Sequence, residues 1–175
     1  NSKVILDYAH TPDALKYTLE SIKEQFGQST ISIVFGCGGD RDKDKRSIMG
    51  KIANQYCNKI FLTDDNPRYE NPNKIRNQIK KKITRSKLVE IPSRKKAIRT
   101  AIKNLNSGDI LLVAGKGHEI YQEYRGKKKI FSDKKHILKE INSKNLKLFK
   151  NWKANILNEK CNLSLVNKKL KINKA

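Results

Sequence analysis

The chain has 175 residues, with 39 lysines and arginines against 17 aspartates and glutamates and only three cysteines. That length supports one domain with a full core plus an appendage, while the lack of any apolar run near the roughly 20 residues of a bilayer span excludes membrane insertion. Cysteines that are odd in number, far apart and outside any CxxC pair argue against a disulfide framework or a zinc site, and with no signal-peptide layout a cytoplasmic protein is expected.

The net charge of +22 raises a polyanion-binding reading, but the charge is unevenly spread. Residues 1–70 are balanced at ten basic and ten acidic side chains, and residues 71–175 hold 29 basic against 7 acidic. Lysine outnumbers arginine 31 to 8, and few aromatics lie among the lysines, so these read as solvated faces. No specific nucleic-acid partner is expected, only weak, salt-sensitive association with polyanions.

Val4-Ile5-Leu6 reads as a short strand ending in Asp7-Tyr8-Ala9-His10-Thr11-Pro12. Thr11 can cap, and Pro12 can open, a helix with Leu15, Leu19, Ile22 and Phe26 at helical spacing. Ile31 to Phe35 reads as a buried strand, followed by the loop Gly36 to Asp42 and a helix burying Ile48, Met49, Ile52, Ala53 and Tyr56. The strand Lys59 to Leu62 runs into Thr63-Asp64-Asp65-Asn66-Pro67-Arg68, then a helix from about Pro72 to Ile83. Leu88 to Ile91 is the next strand, and Pro92 starts a helix through Ala97, Ile98, Ala101, Ile102 and Leu105. Asp109 to Ala114 is the most continuous apolar strand and empties into Gly115-Lys116-Gly117-His118-Glu119. Tyr121 to Tyr124 and Lys128 to Phe131, joined across Arg125-Gly126, read as a hairpin or antiparallel edge. A helix from Asp133 to about Ile141 closes the domain. The fold class is α/β, a Rossmann-like, mostly parallel sheet with helices on both faces and an antiparallel edge. Residues 1–143 form this domain; residues 144–175, dominated by Asn and Lys, read as a basic tail or the start of a following module.

Strand ends of a parallel sheet share one edge, where ligands bind. Three polar loops therefore converge. Pro67 fixes its own φ and biases Asn66 toward extended geometry, holding the polar groups on either side. Arg68 can grip a carboxylate with two parallel hydrogen bonds while Asp65 or Asn66 takes an ammonium. The same residues also read as an Asn-Pro turn capping the next helix. The Gly36–Asp42 loop adds Arg41 and backbone N–H groups, or is simply a glycine-rich turn. The third loop brings Glu119 as an ammonium acceptor, with glycine backbone at Gly115 and Gly117; His118 reads as a structural histidine ahead of a base. Two guanidinium groups with one or two carboxylates imply a polar amino acid as ligand. A dinucleotide fingerprint fails because Arg41 fills the third glycine position of GxGxxG, and no GxxxxGK[ST] phosphate loop is present.

DYAHTPDAL at Asp7 to Leu15, VFGCGGDRDKDKR at Val34 to Arg46, TDDNPR and VAGKGHE at Val113 to Glu119, followed by Tyr121-Gln122 and Phe131-Ser132-Asp133, resemble the carboxy-terminal domain of the Mur ligases. They are most similar to the type that adds the third residue of the peptidoglycan stem peptide, and the match runs from about Val4 to Ile141. The resemblance implies an ATP-dependent amide ligase joining meso-diaminopimelate to UDP-N-acetylmuramoyl-L-alanyl-D-glutamate. It assigns Arg41, Asp65, Asn66, Arg68, Gly115 and Glu119 to the amino-acid site, and a nucleotide contact to Asp7 with His10 close by; a helix-capping turn is the alternative for the last two. ATP and magnesium would be held mainly by a central domain outside this chain, which this domain would contact, and the chain alone is expected to be inactive. The alternative is a nucleotide- or polyanion-binding Rossmann-like module. Asp44 and Ser47 stand where relatives often have Gly and Pro, and both are expected on the solvent side.

Overall fold

The computed structural model describes residues 2–151, 163–166 and 169–172. The first of two compact units, Asn1–Ile141, alternates strand and helix: β1 (Lys3–Leu6), α1 (Pro12–Phe26), β2 (Ile31–Phe35), α2 (Asp44–Tyr56), β3 (Lys59–Leu62), α3 (Pro72–Lys80), β4 (Leu88–Glu90), α4 (Arg94–Lys103) and β5 (Ile110–Val113). A hairpin, β6 (Tyr121–Tyr124) and β7 (Lys127–Ile130), follows, and then α5 (Asp133–Asn151). In the second unit, Asn142–Ala175, β8 (Leu163–Val166) pairs antiparallel with β9 (Lys169–Ile172). The reading of 144–175 as a tail or a further module falls partly on residues 152–162, 167–168 and 173–175, which lie outside the described residues.

The five-stranded sheet has the order β1-β5-β2-β3-β4, every pair parallel. Side chains alternate along a strand, so each strand feeds two cores. Ile33, Phe35, Ile60, Leu62, Ile110 and Leu112 pack with Leu15, Leu19, Met49, Ala53, Ile75 and Ile79, under α1 to α3. Val34, Phe61, Leu111 and Val113 pack on the other face with Ala97, Ile98, Ala101 and Ile102 of α4 and Ile137 of α5. Burying each such side chain contributes about 1.5–3 kcal/mol before chain entropy is set against it. The expected antiparallel element is present as a two-stranded sheet of its own. Its two-residue turn, Arg125 and Gly126, has φ of 49° and 71°, the left-handed pair that a type I′ hairpin requires.

The helix starts follow from local chemistry. The Thr11 hydroxyl accepts from the Ala14 N–H at 3.3 Å with Pro12 in the first turn, and Asn71 Oδ1 accepts from the Asn73 N–H at 2.9 Å with Pro72 placed likewise. Ser93, not Pro92, caps α4, accepting from Lys96 at 3.4 Å. Helix α3 ends at Lys80 rather than Ile83, because Lys80 to Lys82 carry no apolar face to bury, and a 3-10 turn at Arg85–Lys87 leads into β4. Ile48, expected in the core, is 47% exposed. Asp44 is exposed and Ser47 half-buried.

Inserting β5 between β1 and β2 is what builds the site. The chain leaves β2 toward β4 in one direction and returns across the sheet to β5 on the other side, so the loops after β2 and β5 open a crevice at the carboxyl edge.

Candidate functional site

The loop after β3 is held from below and from the side. Gln122 of β6 donates to the carbonyls of Asp64 (3.1 Å) and Asp65 (2.7 Å), and the Glu123 N–H donates to Asn66 Oδ1 at 3.0 Å. Arg68 bridges to Tyr124 in parallel fashion: its N–H donates to Glu123 O at 3.1 Å and its carbonyl accepts from Arg125 at 2.6 Å. With both backbone groups pinned, Arg68 sits at φ 51°, a conformation that costs a non-glycine residue about 1 kcal/mol or more. Asp64 is buried under the loop, paired with Arg76 and accepting from Tyr124 Oη at 3.1 Å. Burial pushes its carboxyl up, against the pull of Arg76.

The glycine loop after β2 lies flat on this segment. Gly39 donates to Asn66 O at 2.8 Å and its carbonyl accepts from Arg68 Nη1 at 2.7 Å. A β-carbon at Gly36 or Gly39 would sit inside the carbonyl oxygen of Thr63 or Pro67. These glycines are therefore required by the approach of two backbones. Gly39→Ala is expected to force the loops apart and cost about 2 kcal/mol, read as a lowered Tm in thermal unfolding.

Between the loops lies a cavity of about 400 Å³. Its lining includes Arg41, Asp65, Asn66, Arg68, Gly115 and Glu119, all six residues assigned to the amino-acid site from the sequence, together with His10. Asp7 is not part of the wall: its Oδ1 folds back to accept from the Ala9 N–H at 2.6 Å, a local turn ahead of α1, whose cap is Thr11. His118 is exposed, outside the cavity, its ring 5.4 Å from that of Tyr8, which does line it. Cys37 lies in the wall, but burial and the charge of Asp65 push its thiol up to about 12, so it is inert as a nucleophile.

Both cavity carboxylates have resident cations behind them. Asp65 Oδ1 accepts from the Asn66 N–H at 2.7 Å, while Oδ2 is buried without a hydrogen bond, 3.7 Å from Arg94 Nη1. Glu119 Oε2 accepts from Lys116 at 2.7 Å and from Asn66 Nδ2 at 3.0 Å. Burial opposes ionisation of Glu119, but the hydrogen bonds from Lys116 and Asn66 and the charges of Lys116 and Arg68 outweigh it and hold the carboxyl below its usual value. Asn66 is less free than expected: its Oδ1 already accepts from Lys116 Nζ at 2.9 Å, so the amide orders the wall. Lys45 and Tyr8 complete a lining that the sequence did not single out; Lys45 donates to His10 O at 3.0 Å. Arg94, Asp133, Lys116 and Gln122 were also missed, although Lys116, Asp133 and Gln122 stand inside quoted motifs.

Comparison with known proteins matches residues 1–117 to the Mur ligase, glutamate ligase domain. The UDP-N-acetylmuramoyl-L-alanyl-D-glutamate--2,6-diaminopimelate ligase of Rickettsia rickettsii is 49% identical over 142 residues, covering 81% of this chain and 30% of that protein. The protein of the same name from Wigglesworthia glossinidia brevipalpis is 54% identical over 132 residues, 75% of this chain and 26% of its own. A solved structure of a ligase of that name superposes with a TM-score of 0.77 at 39% identity, covering 83% of this chain and 30% of the other. This chain thus spans about three tenths of the length of such relatives. With two thirds of its residues matched to the family, the chain belongs to the Mur ligase family.

Proposed function

We propose that this chain is the amino-acid-binding part of a cytoplasmic, ATP-dependent ligase that adds meso-diaminopimelate to UDP-N-acetylmuramoyl-L-alanyl-D-glutamate during peptidoglycan synthesis. The observation that carries this reading is the gathering of two guanidinium groups and two carboxylates around one cavity. Arg41 and Arg68 bind and orient the distal carboxylate of the amino acid, and Glu119 and Asp65 receive the amino group beside it. The amino group at the other end is thereby presented to the acyl donor at the open mouth of the site.

ATP, when bound, supplies the phosphoryl group that activates the glutamate carboxylate as an acyl phosphate; the amine attacks it and phosphate leaves. Among the described residues no group of three His, Cys, Asp or Glu side chains could hold a metal ion, and in this reading magnesium is held mainly by the central domain. Tyr8 and His10, whose rings lie 4.6 Å apart at the rim, offer a face for the nucleotide, and the contact with a central ATPase domain falls to this same edge. Lysine lacks the distal carboxylate and would leave the arginine donors that face the cavity without an acceptor from the ligand, a penalty of about 1–3 kcal/mol that separates the two amino acids.

The test is steady-state kinetics on a full-length ligase carrying this chain. Arg68→Ala or Arg41→Ala should raise the KM for diaminopimelate about ten- to a hundredfold and leave that for ATP within about threefold. Equal effects on both substrates would overturn the assignment.

A further inference from the structure

Behind the cavity wall, Lys116, Asn66 and Glu119 form a closed ring in which each bonds to the other two. Lys116 Nζ donates to Asn66 Oδ1 (2.9 Å) and to Glu119 Oε2 (2.7 Å), and Asn66 Nδ2 donates to the same Oε2 (3.0 Å). Lys116 is fully buried, the one lysine so placed among the described residues, and it is not itself part of the cavity lining. Its ammonium also lies 5.7 Å from the centre of the Tyr121 ring, another wall residue. A buried ammonium is costly unless paired and hydrogen-bonded, and this one is held by two residues that both face the ligand space.

We propose that Lys116 is a positioning residue that determines which amino acid the cavity accepts. It takes up Oε2 of Glu119 and Oδ1 of Asn66, while Glu119 lines the cavity and among the described residues no donor reaches its Oε1. That oxygen is then a single acceptor point for one amino group of the ligand. The ring also balances charge. Glu119 is offset by Lys116, Asp65 shares Arg94 with Asp133, and Arg68 faces Glu123 at 3.7 Å, which leaves Arg41 and Lys45 as the lining cations with no ion pair among the described residues. The cavity therefore favours a ligand whose carboxylates outnumber those of a simple basic amino acid. Loss of the buried ammonium would leave Oε2 of Glu119 with Asn66 Nδ2 as its donor and make the site one unit more negative, shifting preference toward a ligand with one carboxylate fewer.

This inference rests on the reading of the cavity as the diaminopimelate site, and the experiment separates the two. In a full-length ligase carrying this chain, Lys116→Met keeps the side-chain length and removes the charge. It should raise the KM for diaminopimelate about ten- to a hundredfold, leave that for ATP within about threefold, and narrow the preference for diaminopimelate over lysine about tenfold. Because the effect is routed through Glu119, adding Lys116→Met to Glu119→Gln should change the KM for diaminopimelate by less than about twofold relative to Glu119→Gln alone. That double variant has no unpaired buried charge, so the comparison stands even where Lys116→Met alone does not fold. An unchanged preference in Lys116→Met, or an undiminished effect in the Glu119→Gln background, overturns the role of Lys116. A parent enzyme that does not consume diaminopimelate overturns the reading of the cavity instead.

Discussion

Replacing Asp133 with alanine is expected to lower the stability of the chain by about 3–5 kcal/mol, because it strands a guanidinium in the interior. Arg94 and Asp133 are both completely buried and meet in a two-pronged pair, Nε to Oδ1 at 2.8 Å and Nη2 to Oδ2 at 2.7 Å. Nη2 also donates to the Ala114 carbonyl at 2.8 Å, and Nη1 approaches Asp65. One guanidinium thus joins the first turn of α4, the first turn of α5, the end of β5 and a cavity carboxylate. A domain of this size is stable by about 5–15 kcal/mol in all, so the loss would be plain as a fall in the urea midpoint. Arg94→Met combined with Asp133→Leu should recover much of it, since an apolar pair of similar volume carries no desolvation penalty. If Asp133→Ala shifts the midpoint by less than the equivalent of about 1 kcal/mol, the pair is not the clamp described here.

The contrast between those buried pairs and the rest of the chain marks what could be read in advance. The runs Ile31–Phe35, Lys59–Leu62 and Asp109–Ala114 could be placed as strands because a parallel strand is buried on both faces and reads as a near-continuous apolar stretch. Once they are parallel, their loops must share an edge, which is why six site residues taken from three separate loops line one cavity. What pattern could not supply is which charged groups go inside. Lys116 lies within the VAGKGHE stretch, but nothing there tells it from the 30 other lysines as one that is buried, since its partner Asn66 lies fifty positions earlier. The arginines held more signal than they were given. Of eight in a lysine-rich chain, Arg41 and Arg68 line the cavity and Arg46, Arg76 and Arg94 are buried beneath its loops. A planar fork with several fixed donors does there what a single ammonium cannot. The glycines were legible as a loop, but their reason, two backbones in contact, exists only once the neighbouring loop is in place.

Between pH 4.5 and about 2 the protein is expected to lose a specific part of its stability through Glu70. Both its oxygens are held by Arg46, at 2.9 and 2.8 Å, and Oε1 also accepts from the Asp40 N–H at 2.6 Å. The hydrogen bonds from Arg46 outweigh burial and, with the Asp40 N–H and the charges of Arg46 and Lys43, bring the carboxyl from 4.5 down to about 2. A carboxyl whose value is depressed by folding stabilises the fold above its unfolded value, and that contribution drains away as pH falls through the folded one. For a side chain 20% exposed we expect about 2 kcal/mol, present at neutral pH and gone near pH 2. Glu70→Gln should remove it at pH 7 and flatten the stability curve over that interval in urea titrations at each pH. Parallel curves for the parent and Glu70→Gln would assign the acid loss elsewhere. The consequence reaches the cavity, because Arg46 also donates to Gly38 O at 2.9 Å and to Gln78 at 2.6 Å while Asp40 Oδ2 accepts from the Tyr69 N–H at 3.2 Å. Glu70 and Arg46 therefore tie the loop that carries Arg41 to the one that carries Arg68. Protonating one carboxyl should loosen both arginines together, before the sheet beneath them gives way.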